Sequence, residues 1–254
     1  MQTSALPGGE REQSYDLRNT QPPPPHVKAH SLQTTPDEYR RRVFADGIPP
    51  RPSGLFPPGD ALLRALAADP RLYAFEKHLP GEGAPYELLP RGGWATGDAC
   101  AARGMDLRLF YQAPAAGEQF GTIHGAVRFG DGAAIGDGYY MSAHGGSIET
   151  ALDEATAEMS KLEFSPLVTT REASFKMLKP VPLHRSLLIT CYIKEQRGIR
   201  CYVEGTIQQW DGEAGSNGSS NGGASRGFAA QQGVYATCSA LLINIRDWLQ
   251  RSAP

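Results

Sequence analysis

Apolar and polar residues alternate with a period of two in several stretches of this chain, and one long stretch between them follows a helical period. In MDLRLFYQA the side chains of Leu107, Leu109 and Tyr111 share one face, and in FGTIHGAVRFG those of Ile123, Val127 and Phe129 do the same. The alternation returns in EASFKMLKPV, SLLITCYIKE, RCYVEGTIQQW and GVYATCSALLINI, with short turns such as EQRG before Ile199. The pattern predicts two or three strands, one long helix and four further strands. One helix among many antiparallel strands is an α+β signature.

The helix lies in GGSIETALDEATAEMSKLE. At 100° per residue, Ala151, Leu152, Ala155, Met159 and Leu162 fall within about 60° of Ile148, a stripe that packs on a sheet. Asp153 projects about 140° from that stripe and Glu149 and Thr156 about 80–100°, on a flank the sheet does not cover. Glu154 and Glu158 take the other flank. A helix entrance leaves its first N–H groups without partners, and Gly145 and Gly146, lacking Cβ atoms, let a ligand atom approach them. Those donors and the positive end of the helix dipole suit a developing oxyanion. Asp153 follows about 10 Å further along the axis. An oxyanion holder with a carboxylate beside it suits acyl-transfer hydrolysis. Acids in the first helical turns are also favoured by the dipole alone, so these residue types leave a structural role open.

Ahead of the strands, residues 1–34 are polar and contain Pro22 to Pro25 in a row, which predicts a disordered or draped arm. Residues 35–80 read as a helical extension. Thr35 caps a helix opened by Pro36, Asp37 and Glu38; Asp60 caps ALLRALAA; Asp69 and Pro70 open a second short helix through RLYAFEKHL. Residues 81–249 then form the main domain, interrupted at 211–228 by the Gly/Ser/Asn-rich DGEAGSNGSSNGGASRGF, an insert tolerated at a hairpin end.

Composition narrows the function classes. The chain has 254 residues, 40% of them apolar, and a net charge of −2, which gives no general support for nucleic-acid binding. Its four cysteines, Cys100, Cys191, Cys201 and Cys238, form no CxxC pair and read as reduced, buried thiols. No apolar run approaches a membrane span and the leader lacks a secretory pattern, so the expectation is a soluble intracellular protein without membrane insertion, in the cytosol or an organelle matrix such as the mitochondrion. His26, His30, His78 and His184 are scattered without metal spacing, and no metal site is expected. His124 stands beside Thr122 and Arg128 on a polar strand face and reads as a strand histidine. No phosphate loop and no G-x-S-x-G occur.

In its stretch AHGGSIETALD the chain resembles the hotdog-fold acyl-CoA thioesterases, in which an antiparallel sheet of five or six strands wraps a long central helix. Family members carry His-Gly-Gly at the helix entrance and the catalytic aspartate nine residues after the histidine, the spacing of His144 and Asp153 here. TTREASFKMLKPVPL resembles the strand that follows in the "thioesterase superfamily member" branch, where a hydroxyl residue ten before the proline positions water; that residue here is Thr170. The resemblance covers about residues 100–247. It departs from several relatives in having no amide side chain shortly before the histidine, and no such role is carried over to Asp137.

The resemblance implies hydrolysis of acyl-CoA to free acid and CoA. In it the Gly146 N–H polarises the carbonyl, His144 and Gly145 shape the entrance, Asp153 is general base or nucleophile, and Thr170 from the partner subunit orients water. It also implies a homodimer or dimer of dimers with sites across the interface. No cofactor is implied beyond the coenzyme A of the substrate, whose phosphates need cations; Lys176, Lys179 and Arg200 are candidates. The alternative is a non-catalytic hotdog subunit with an acyl-binding or assembly role. A hotdog dehydratase fits less well, because its acid/base pair is placed differently.

Overall fold

The computed structural model describes residues 35–45, 54–75, 101–210 and 233–246; the arm at 1–34 and the insert at 211–228 lie outside them. In chain order the elements are α1 (Pro36–Ala45), α2 (Ala61–Ala68), β1 (Leu72–Phe75), β2 (Met105–Gln112), β3 (Thr122–Phe129), a 3-10 turn (Asp131–Ala133), the two-residue strands β4 (Ala134–Ile135) and β5 (Ser142–Ala143), α3 (Gly145–Glu163), β6 (Val168–Met177), β7 (Ser186–Arg197), β8 (Arg200–Gln209) and β9 (Val234–Asn244).

Seven strands form one antiparallel sheet in the order β1-β2-β3-β7-β8-β9-β6. Its inner face wraps α3, the hotdog arrangement. The helix stripe read from periodicity meets that face: Ile148, Ala151, Leu152, Ala155, Met159 and Leu162 are all buried against inward residues such as Val127, Ile189, Val203 and Leu242. At 19 residues α3 is about 28 Å long, enough to cross most of the sheet.

The strand count exceeds the expected five or six because of β1. RLYAFEKHL does not continue as a helix: Leu72–Phe75 is a strand that pairs with β2 from Leu72↔Gln112 to Phe75↔Leu109. Asp69 caps the end of α2 instead, and its carboxylate accepts from the Arg71 N–H and guanidinium. Phe75 then joins the core. Main-chain pairing with a distant strand overrides the local start signal. Strand β6 also begins four residues before the stretch EASFKMLKPV.

The two extension helices grip opposite sides of the sheet. Leu62 and Leu66 of α2 pack on Phe110 and Ala126 of the outer face. On the inner side α1 lies along α3, where the Tyr39 hydroxyl donates to Glu158 Oε2 at 2.7 Å and Arg40 donates to the Leu162 carbonyl. Phe44 stacks on Tyr111 and meets Phe75 edge-on. Tyr39 of α1 covers Glu158, which is fully buried, and Glu154 on the same flank of the helical wheel is buried as well.

Candidate active site

The segment leading into α3 hangs from two loops. The Ala143 N–H donates to the Val181 carbonyl at 2.9 Å and the His144 N–H to the Ala133 carbonyl at 2.7 Å. His144 is the N-cap, and its own carbonyl accepts the Ser147 and Ile148 N–H groups. Its Nδ1 accepts the Gly146 N–H at 3.0 Å. A Cβ on Gly146 would stand 3.2 Å from that nitrogen, so glycine lets the ring fold back over the first turn. Around Gly145 a Cβ would meet nothing within 4 Å, and its N–H has no partner among the described residues. The expectation that the Gly146 N–H stands free is therefore corrected: His144 holds it, and Gly145 presents the open donor.

Gly146 and Asp153 are seven residues apart, nearly two full turns, and so project on almost the same side of α3. Asp153 is half-buried, and its Oδ1 accepts the Thr170 hydroxyl at 2.8 Å. Donor and acceptor belong to one chain, whereas the resemblance implies a Thr170 that orients water from a partner subunit. Residues 164–167 turn the chain so that β6 runs back along α3, and a register shift between Thr170 and Glu172 marks a bulge there, with Thr170 opposite the buried Leu242. Asp153 Oδ2 has no partner among the described residues. Beneath the pair, burial pushes the Cys238 thiol up to about 12, and the Asp153 carboxylate adds to the rise.

The proposed phosphate cations are not brought together. Lys176 follows the inward-facing Phe175 and stands on the outer face opposite Thr237, whereas Arg200 is opposite Ile243, about 20 Å further along β9. Lys179 lies past the end of β6, with its N–H bonded to the Tyr235 carbonyl. Strand alternation and register separate residues that composition alone groups. A groove of about 730 Å³ on the outer face, lined by residues including Lys194, Glu204 and Ser239, is on the far side of the sheet from Asp153. Its charges are internally matched, with Glu204 accepting from both Lys194 and Ser239.

The sequence reading missed the shell around the entrance. Asp131 begins the 3-10 turn that supplies the Ala133 carbonyl, and His184, set aside as a scattered histidine, reaches it through Nε2 at 2.8 Å. Neither residue sits in a motif. Exposed Tyr139, Tyr140 and Met141 precede the entrance directly. Among the described residues no group of His, Cys, Asp and Glu is placed to hold a metal ion, and no helix is long and apolar enough to cross a membrane.

No family model matches the chain, and no curated protein does. Solved structures similar to it include a thioesterase superfamily protein at 16% identity and a TM-score of 0.40, where the match covers 59% of this chain and 59% of that one. Another is zebra fish thioesterase superfamily member 2, at 12% identity and a TM-score of 0.38 over 54% of this chain and 80% of that one. A third is a hypothetical thioesterase from Streptococcus pneumoniae TIGR4, solved with coenzyme A, at 14% identity and a TM-score of 0.37 over 54% and 87%. At these identities and scores, the site rests on the geometry of this chain alone.

Proposed function

We propose that this chain hydrolyses acyl thioesters of coenzyme A to a free acid and CoA, working as a homodimer. The observation that carries this reading is the Asp153–Thr170 pair on the flank of α3 that also bears the glycine entrance. The entrance amides hold the carbonyl oxygen, Gly145 N–H directly and Gly146 N–H once the oxygen displaces His144 Nδ1. Water attacks the carbonyl carbon and gives its proton to Asp153 Oδ2, while Thr170 fixes the other carboxylate oxygen. The tetrahedral oxyanion is held by the entrance amides and the positive end of the helix. It collapses with cleavage of the C–S bond, and the leaving sulfur takes the proton back from Asp153.

A second copy is proposed to close the open flank. Strand β6 is an edge strand of ten residues, mostly exposed, whose outer backbone groups are the natural place for another chain to add. Lys179, beyond its end, is retained as a candidate for the CoA phosphates.

The test is acyl-CoA hydrolysis followed with a thiol-trapping reagent across short, medium and long chains. Activity that disappears in Asp153→Asn while fold and dimer persist supports the reading. An inert wild-type protein across all chain lengths overturns it and favours a non-catalytic acyl-binding or assembly subunit. Oxygen-18 labelling in a single turnover separates a general base from a nucleophile, since label in Asp153 marks a covalent anhydride.

A further inference from the structure

We infer that the His184–Asp131 pair is a clamp that sets the position of the α3 entrance, making His184 a positioning residue for the reaction proposed above, on which the inference rests. His184 is the one non-glycine among the described residues with a positive φ, 56°. A left-handed backbone costs free energy for a residue with a Cβ and persists where surrounding contacts enforce it. Two contacts do so here. The His184 N–H donates to the Phe129 carbonyl at 2.7 Å, and ring Nε2 donates to Asp131 Oδ1 at 2.8 Å.

Those two bonds join the loops from which the entrance hangs. Phe129 closes β3, the loop after it carries Asp131 and Ala133, and the Ala133 carbonyl holds the His144 N–H. The loop before β7 carries Val181 and His184, and the Val181 carbonyl holds the Ala143 N–H. The two residues directly preceding Gly145 are thus fixed to different loops, and His184 fastens one loop to the other. The pairing of β3 with β7 up to Arg128↔Ser186 and the His184 N–H bond to Phe129 hold the roots of the two loops together. The ring bond to Asp131 is the tie further out, and without it the amides of Gly145 and Gly146 lose part of their common reference. Donors that must meet a developing oxyanion tolerate little displacement.

Three variants and two readouts test this. His184→Gly keeps the backbone conformation without strain and removes the ring; Asp131→Ala removes the acceptor; His184→Asn tolerates the left-handed region and retains a side-chain donor. Hydrogen exchange of the segment 141–150, read by mass spectrometry, is expected to become about tenfold faster at the Ala143 and His144 amides in the first two variants. In the same variants kcat for acyl-CoA is expected to fall about tenfold with KM little changed, because the loss falls on the transition state. The melting temperature stays within about 3 °C, since the pair is exposed. His184→Asn restores both readouts. Wild-type exchange and kcat in His184→Gly overturn the clamp by showing that the backbone bend alone suffices. If the wild-type protein hydrolyses no thioester, yet His184→Gly loosens the segment, the clamp stands and the hydrolytic reading falls.

Discussion

Thr170 Oγ1 donates to Asp153 Oδ1 at 2.8 Å, tying the start of β6 to the middle of α3 within one chain. The bond restrains a carboxylate that is otherwise half-open to solvent. Thr170→Ala is expected to lower kcat by about ten- to a hundredfold with KM nearly unchanged, because a general base that can rotate spends less time aligned with its water. Thr170→Ser keeps the hydroxyl and most of the rate. Initial rates with a thiol-trapping reagent check both, and a fully active Thr170→Ala detaches this residue from the chemistry.

Gly205 lies on the inner face of β8 between Cys191 and Cys238 on the neighbouring strands. A Cβ there would stand 3.1 Å from Cys191 Sγ and 3.3 Å from Leu152 Cδ2 and Thr156 Cγ2. Leu152, Thr156 and Cys191 are fully buried, so they have little room to retreat. Gly205→Ala is expected to cost about 1–3 kcal/mol by overpacking, seen in urea as a lower midpoint at unchanged slope. Because Asp153 is on the adjacent turn of α3, the same change is expected to reduce activity.

Glu158 is fully buried, with Tyr39 and Lys161 as its partners. Burial works to lower the Lys161 ammonium, but the carboxylates of Glu158, Glu154 and Asp153 together outweigh it and raise the pKa. Lys161→Met leaves a buried carboxylate without its cation and is expected to destabilise by about 3–5 kcal/mol, whereas the double variant Lys161→Met, Glu158→Met recovers much of that loss. Tyr39→Phe removes one neutral donor, at about 1–3 kcal/mol. Chemical denaturation of the parent, Lys161→Met, Glu158→Met and the double variant gives the coupling directly. A Lys161→Met variant as stable as its parent would falsify the pairing.

His124 is half-buried on β3, with Nε2 bonded to Gln112 Oε1 at 3.1 Å. Burial lowers its pKa from the ordinary 6.5, with Arg71 contributing and Asp69 opposing. The folded form therefore binds the proton less readily than the unfolded chain. As pH falls through 6.5 the unfolded chain gains a proton that the folded one resists, so stability drops until the lower folded pKa is reached. Between about pH 7.5 and 5.5 the melting temperature of the parent should fall more steeply than that of His124→Gln. Parallel melting curves against pH count against the shift.

Much of this architecture is written locally. Alternation locates strands β2, β3, β6, β7, β8 and β9, and the helical period gives the apolar stripe of α3, although Thr156, expected on an uncovered flank, is fully buried beside Gly205 of β8. The Thr35 and Asp60 caps stand where their residue types require, each hydroxyl or carboxylate accepting an N–H three residues on. What escaped the sequence depends on partners distant along the chain. Leu72–Phe75 became a strand because β2 offers an edge, and no local signal records that offer. Glu158 lies on a flank of the helix whose cover, Tyr39 of α1, is 119 residues away in sequence. The Asp153–Thr170 bond and the His184–Asp131 pair each depend on how a chain reversal brings two segments together, and Lys176 and Arg200 are separated by strand register.

The two borders of the sheet differ. One ends in β1, four residues long, with α1 and α2 packed against it; the other ends in β6, ten residues long, whose outer edge is uncovered among the described residues. A sheet of this shape has one adhesive side and one finished side. In the proposed dimer, two copies meeting edge to edge along β6 would consume both adhesive sides and leave only finished ones outward, so that sheet growth would terminate at a pair and not run on into a ribbon.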